Sequence, residues 1–288
     1  MLERVMKIFI PSYDEYAIGG GWSFLANFRK ALAEYITDDY SQADIYFLAG
    51  ATLVDKAEVD KAQADGKNIV LRVDNVVRNS RNRGSGMTRM RRFAEQADLV
   101  IFQSCFANNL LAGYLGAKNS CVILNSADET IFNDSGRIGA GDAFLYSKYS
   151  SDETKNWEMA RTCFQDIAKK NQDKKLNIVG RFDAKLEEYG FDFFNGEKVN
   201  YLGLVTDKNR LAQIYKRSDF LLYSYFNDAC SNTLIEALLC GVSPVDCYGM
   251  MATGGASEIM DNFNADGAEY FYLSRMAEEY IEVFNGIV

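Results

Sequence analysis

The chain has 288 residues, 48% hydrophobic and 25% charged, which suits one large or two medium globular domains. It contains no histidine. The commonest general base and transition-metal ligand is therefore absent, which excludes Ser-His-Asp hydrolysis, Cys-His proteolysis and zinc hydrolysis through His. The net charge of −9 argues against general coating of nucleic acid, yet residues 72–92 hold seven arginines against one acid, Asp74.

No stretch approaches the ~20 apolar residues that span a bilayer, so no transmembrane segment is expected. The start of the chain lacks a signal-peptide layout. The six cysteines are scattered without a Cys-x-x-Cys pair. Together these features predict a cytoplasmic protein with reduced thiols.

In chain order, Lys7–Ile10 reads as a strand and Ser12–Gly21 as a loop ending in Gly19, Gly20 and Gly21. Trp22–Tyr35 follows with apolar residues at helical spacing. A glycine turn between strand and helix lets backbone approach a ligand closely. Next come Asp44–Ala49 (strand), Val54–Ala64 (helix), Asn68–Val73 (strand), Met87–Gln96 (helix), Asp98–Phe102 (strand), Cys105–Leu115 (helix) and Cys121–Leu124 (strand). Alternating strands and helices imply a parallel sheet covered on both faces, with ligands at the C-terminal strand ends. The arginine-rich run leaves such an end. Asp74, Arg78, Arg81 and Arg83 are expected to face an anionic acceptor, because guanidinium forks match phosphate.

Residues 133–142, with Gly136, Gly139 and Gly141, read as a linker. A second series follows: Ala143–Tyr146 (strand), Lys155–Lys170 (helix), Leu176–Gly180 (strand), Ala184–Tyr189 (helix), Val199–Leu202 (strand) and Lys208–Arg217 (helix). The expected divisions are 1–135, 143–265 and a terminal strand and helix over 266–288 that packs back on the first domain.

The most informative stretch is 218–245. Phe220–Tyr223 is a short buried strand, Asn227–Cys230 breaks it, and Ser231 caps a helix carrying Leu234, Ile235, Leu238 and Leu239. Gly241 stops that helix. Asp228 precedes it and Glu236 lies within it. A helix N-terminus between two acids suits a nucleotide: the N–H groups of Ser231, Asn232 and Thr233 for phosphate, a carboxylate for ribose hydroxyls.

An acid, seven residues, then Glu-Ala-Leu-x-Cys-Gly-x-x-Pro-Val resembles the signature of the retaining "glycosyl transferases group one" family. Asp228 stands where Glu is usual. Val122–Phe132 resembles the family's apolar-x-Asn-Gly-x-Asp-x-x-x-Phe stretch, with Ser126 replacing Gly. Gly254-Gly255-Ala-Ser-Glu258-Ile resembles its Gly-Gly-x-x-Glu-Ile turn. The resemblance implies an α/β fold of two Rossmann-like, doubly wound parallel-sheet domains facing a cleft (GT-B).

It further implies a retaining, metal-independent transferase needing no cofactor, with a UDP-, GDP- or ADP-sugar as donor. The acceptor hydroxyl would belong to an anionic glycan, a lipid-phosphate or DNA. By this resemblance Asp228 approaches the donor sugar and Glu236 binds the ribose. Lys148 and Lys155, after the first strand of the second domain, neutralise the diphosphate, and Arg181 is a further donor contact. Gly19, Gly20 and Gly21 lie over the diphosphate. Two alternatives stand beside this reading: a phage-type enzyme glycosylating a hydroxylated DNA base, and a non-catalytic nucleotide-sugar-binding subunit.

Overall fold

The computed structural model describes residues 5–11, 13–14, 17, 19–74, 84–139, 143–149, 152–170, 173–181 and 199–288. The chain divides into two compact units, Met1–Ser126 with Glu269–Val288, and Ala127–Ala268. The expected helix over 184–189 and the residues Arg78, Arg81 and Arg83 lie outside the described residues.

The first unit holds β1 (Ile8–Phe9), α1 (Gly20–Ala31), β2 (Ile36–Thr37), β3 (Ile45–Leu48), α2 (Lys56–Ala64), β4 (Asn68–Val73), α3 (Gly84–Gln96), β5 (Leu99–Phe102), α4 (Cys105–Leu115) and β6 (Ser120–Val122). Its strands form one sheet in the order β2-β1-β3-β4-β5-β6, paired in parallel throughout. The central strands β3 and β5 are continuous apolar runs and β4 is apolar but for Asn68 and the buried Arg72, as suits a sheet covered on both faces.

The second unit holds β7 (Ala143–Tyr149), α5 (Trp157–Lys170), β8 (Lys175–Gly180), β9 (Val199–Gly203), α6 (Lys208–Lys216), β10 (Phe220–Tyr223), α7 (Asn232–Leu239), β11 (Ser243–Asp246) and α8 (Ala256–Asp266). Its sheet runs β11-β10-β7-β8-β9, again all parallel. The chain starts at the central strand β7, builds β8 and β9 to one side, then returns to place β10 and β11 on the other. The change of direction falls between β7 and β10, and a doubly wound sheet binds ligands outside the carboxyl ends of strands at that point.

The last helix, α9 (Leu273–Asn285), belongs to the first unit. Its buried Met276, Tyr280 and Phe284 join Phe24 and Phe28 of α1 and Phe47 of β3 in one core cluster. The Phe28 and Phe47 rings stack at 4.4 Å, and Tyr280 meets Phe28 edge-on at 5.0 Å. Arg275 fixes the start of α9. It donates to the carbonyls of Leu124 and Asn125 and, at 2.8 Å, to the Ser126 hydroxyl. The hydroxyl that replaces the family's glycine thus anchors the terminal helix.

Three expectations need correction. Gly20 and Gly21 lie in the first turn of α1, and only Gly19, with φ 149°, stays in the turn before it. Lys148 lies within β7, not after it. The terminal segment over 266–288 is expected to open with a strand, but Ala268–Phe271 forms a 3-10 turn whose Tyr270 carbonyl accepts from Arg275 at 2.6 Å.

Candidate functional site

Three loops of the second unit leave the C-terminal ends of neighbouring strands β7, β10 and β11, and they interlock. Between β7 and α5, Asp152 caps a 3-10 turn over Glu153–Lys155 by accepting from Thr154. The Thr154 carbonyl accepts from Phe226 N–H in the β10–α7 loop at 3.0 Å. The Lys155 carbonyl accepts from the hydroxyls of Tyr146 and Ser224, at 2.7 and 2.8 Å. On the other side, Asn227 N–H donates to the Thr253 carbonyl at 3.2 Å and Gly255 N–H to the Asp228 carbonyl at 2.9 Å. The loop bearing Asp228 is thus clamped between the turns that follow β7 and β11.

Among the described residues, the three non-glycine residues with positive φ are Asn156, Asn227 and Tyr248, at 50°, 50° and 57°. Each sits in one of these three loops. Strained backbone gathers where a surrounding structure holds it for a purpose.

This clamping brings Lys155 and Asp228 together across 73 positions of sequence. The Lys155 Nζ lies 3.2 Å from Asp228 Oδ2, and both side chains are mostly buried. The same ammonium sits 3.9 Å above the Tyr225 ring, a cation–π contact that fixes a side chain with four rotatable bonds. Tyr225 is fully buried and donates to the Ser147 carbonyl of β7. Burial pushes its phenol well above the ordinary tyrosine range, so it stays a neutral platform.

Helix α7 starts beside this pair. Ser231 is its N-cap, accepting from Leu234 N–H at 3.4 Å. The Ser231 and Thr233 side chains are buried, so a ligand at this end would meet backbone N–H groups. The helix buries Thr233 through Leu239 on every side and ends before Gly241, whose φ is 74°.

Glu236 is buried at 6% exposure, a costly place for a carboxylate without polar partners. Its Oε2 accepts from the Tyr215 hydroxyl of α6 at 3.3 Å. Arg181 directly follows β8 and is exposed on the same sheet edge. The Lys148 side chain lies outside the described residues.

Gly254 shows how tightly the loops fit. A β-carbon there would lie 2.7 Å from the Asp228 carbonyl oxygen and 3.0 Å from its nitrogen, both backbone atoms that cannot swing aside. Gly254→Ala is expected to displace the Asp228 loop, lower stability by about 1–3 kcal/mol and cut turnover. A melting curve and an activity assay check this, and an unchanged variant would contradict the packing.

In the first unit, Asp74 packs over Gly50, where a β-carbon would come within 2.7 Å of its carboxyl. Arg72 is no part of a surface basic patch. It is buried, donates to the Asn125 side chain at 2.8 Å and stacks 3.5 Å over the Phe24 ring. Arg91 pairs with Glu95 and Arg92 with Asp60. Three of the seven arginines are therefore engaged within the unit.

Sequence reasoning missed Tyr215, Tyr225 and Ser147, which hold the candidate residues from beneath. No local motif marks them, since they meet their partners 21 to 78 positions away. The described residues hold no helix long and apolar enough to cross a membrane.

Residues 143–271 match the family model described as glycosyl transferases group 1. No curated protein matches the chain. Solved structures do. Anabaena HepE, determined in complex with UDP, is 14% identical with a TM-score of 0.71, covering 98% of this chain and all of that one. AviGT4, a glycosyltransferase of avilamycin A biosynthesis, is 12% identical with a TM-score of 0.67 and 97% of each chain covered. The pneumococcal O-GlcNAc transferase GtfA, in complex with UDP and GlcNAc, is 14% identical with a TM-score of 0.61, covering 84% of this chain and 56% of that one. At these identities the likeness is one of fold, the GT-B pairing of two Rossmann-like domains. The family match lies over residues 143–271, so it is the second unit that carries the likeness to the group 1 glycosyltransferases, and the whole chain shares the GT-B fold.

Proposed function

We propose that the chain transfers a sugar from a nucleotide diphosphate to an acceptor hydroxyl with retention of anomeric configuration. The observation that carries this is the meeting of Lys155, Asp228 and the N-terminus of α7 at the switch point of the second sheet. A departing diphosphate needs positive charge, and Lys155 with the helix N-terminus supplies it without a required metal. Asp228 then faces the sugar as an oxocarbenium-like centre develops, and Glu236 takes the ribose hydroxyls. The departing phosphate accepts the acceptor proton on the face it leaves. Lys148 and Arg181 are proposed as further diphosphate contacts, and Gly19–Gly21 as a backbone approach to it.

UDP is the proposed nucleotide, supported by the UDP that HepE and GtfA bind. The acceptor is proposed to be anionic or phosphate-bearing, met by Asp74, Arg78, Arg81 and Arg83. We read the protein as cytoplasmic from its six cysteines, all thiols.

The test is nucleotide release from UDP-, GDP- and ADP-sugars with phosphate-bearing acceptors, followed by NMR of the product's anomeric proton. An α-linked donor should give an α-linked product. An inverted product would contradict the retaining mechanism. Donor binding without release on any acceptor would assign the chain as a non-catalytic subunit.

A further inference from the structure

Glu236 is one carboxylate on a side chain with three rotatable bonds, and a ribose can use it only if its direction is set beforehand. The second unit contains the parts to set it. Tyr215 of α6 is fully buried, its ring edge-on to Phe132 at 6.2 Å. Its hydroxyl lies 3.3 Å from Glu236 Oε2 and 3.1 Å from the Ser147 hydroxyl of β7.

Proton counting gives this chain a direction. An ionised carboxylate only accepts, so the single Tyr215 proton goes to Glu236 and the Ser147 hydroxyl donates to Tyr215. Burial, followed by the neighbouring Glu236 charge, holds the Tyr215 phenol well above the ordinary tyrosine range, so the donor keeps its proton. Ser147 also anchors the other side of the site, since its carbonyl accepts from Tyr225, the ring beneath Lys155. One residue of β7 thus references both the cation and the carboxylate.

We propose that Tyr215 is a positioning residue for donor recognition: relayed from Ser147, its hydroxyl holds Oε2 of Glu236 and thereby aims the carboxylate at the vicinal hydroxyls of the donor's ribose. This rests on the donor reading above and adds to it the residue that makes the ribose contact selective. Tyr215 touches no substrate itself. Removing its hydroxyl should therefore weaken only ligands that use Glu236.

The experiment is calorimetric titration of the full chain and of Tyr215→Phe with UDP and with 2′,3′-dideoxy-UDP. Phenylalanine keeps the buried ring against Phe132 and deletes only the donor. Wild type should bind UDP at least about tenfold tighter than the dideoxy compound, the order expected when a charged acceptor loses its hydroxyl partners. Tyr215→Phe should lose most of that preference, weakening for UDP about tenfold and little for dideoxy-UDP. Equal weakening for both nucleotides would mark Tyr215 as merely structural and overturn the proposal, as would an unchanged preference. A wild type that binds UDP and dideoxy-UDP alike would instead overturn the ribose role of Glu236, and the proposal with it.

Discussion

Glu236→Ala is expected to weaken nucleotide binding by about 10²–10⁴-fold while the protein stays folded. Two hydrogen bonds from ribose hydroxyls to one carboxylate, at roughly 1.5–3 kcal/mol each, set that scale. Two opposing effects leave stability little changed. Alanine has the best helix propensity and removes a buried charge, while the Tyr215 hydroxyl loses its acceptor but keeps Ser147. Calorimetry with UDP, beside a melting curve of the ligand-free protein, reads both quantities. A variant that binds UDP within about threefold of wild type would remove Glu236 from the donor site.

The second large effect belongs to Lys155. Its ammonium is held by Asp228 at 3.2 Å and the Tyr225 ring at 3.9 Å, so its charge is placed before the donor arrives. Charge placed in advance at a group that gains charge in the transition state is worth roughly 10²–10³ in kcat. Lys155→Ala is expected to lose that factor, with a smaller change in donor KM because other contacts hold the nucleotide. Lys155→Arg should recover only part, since a planar fork does not reproduce a point charge over an aromatic face. Full activity in Lys155→Ala would place the neutralising charge elsewhere. A fall in affinity with unchanged kcat would make Lys155 a binding group only.

What could be read from the sequence follows physical lines. Helix α7 was legible because its signals are local: a Ser231 cap, an apolar face and a Gly241 stop. Asp228 and Glu236 stand out for the same reason, as acids before and within one short helix. Helix α1 was read too late and too long. Gly20 and Gly21 have poor helix propensity, yet the buried Phe24, Leu25 and Phe28 draw the first turn into helical form. Its end was hidden because β2 is only Ile36–Thr37, too short to show a period.

Residues 269–273 look like a strand by their aromatic content, but no sheet edge receives them, and Arg275 takes the Tyr270 carbonyl instead. The supports of the site were illegible for a different reason. Ser147, Tyr215 and Tyr225 sit on separate elements, and the sheet order β11-β10-β7-β8-β9 brings them together. Until β10 is known to lie beside β7, nothing links a tyrosine at 225 to a lysine at 155.

The central claim is a nucleotide-diphosphate site at the C-terminal edge of the second sheet. The most direct test is a thermal-shift panel of wild type and Glu236→Ala with UDP, GDP and ADP and their sugars. A ligand at a hundred times its dissociation constant adds ~2.7 kcal/mol, a rise of several degrees. The account predicts that UDP and a UDP-sugar raise the wild-type melting temperature by that much, and that Glu236→Ala loses the shift. A panel in which no nucleotide moves wild type, or in which the variant shifts as far as wild type does, would contradict it.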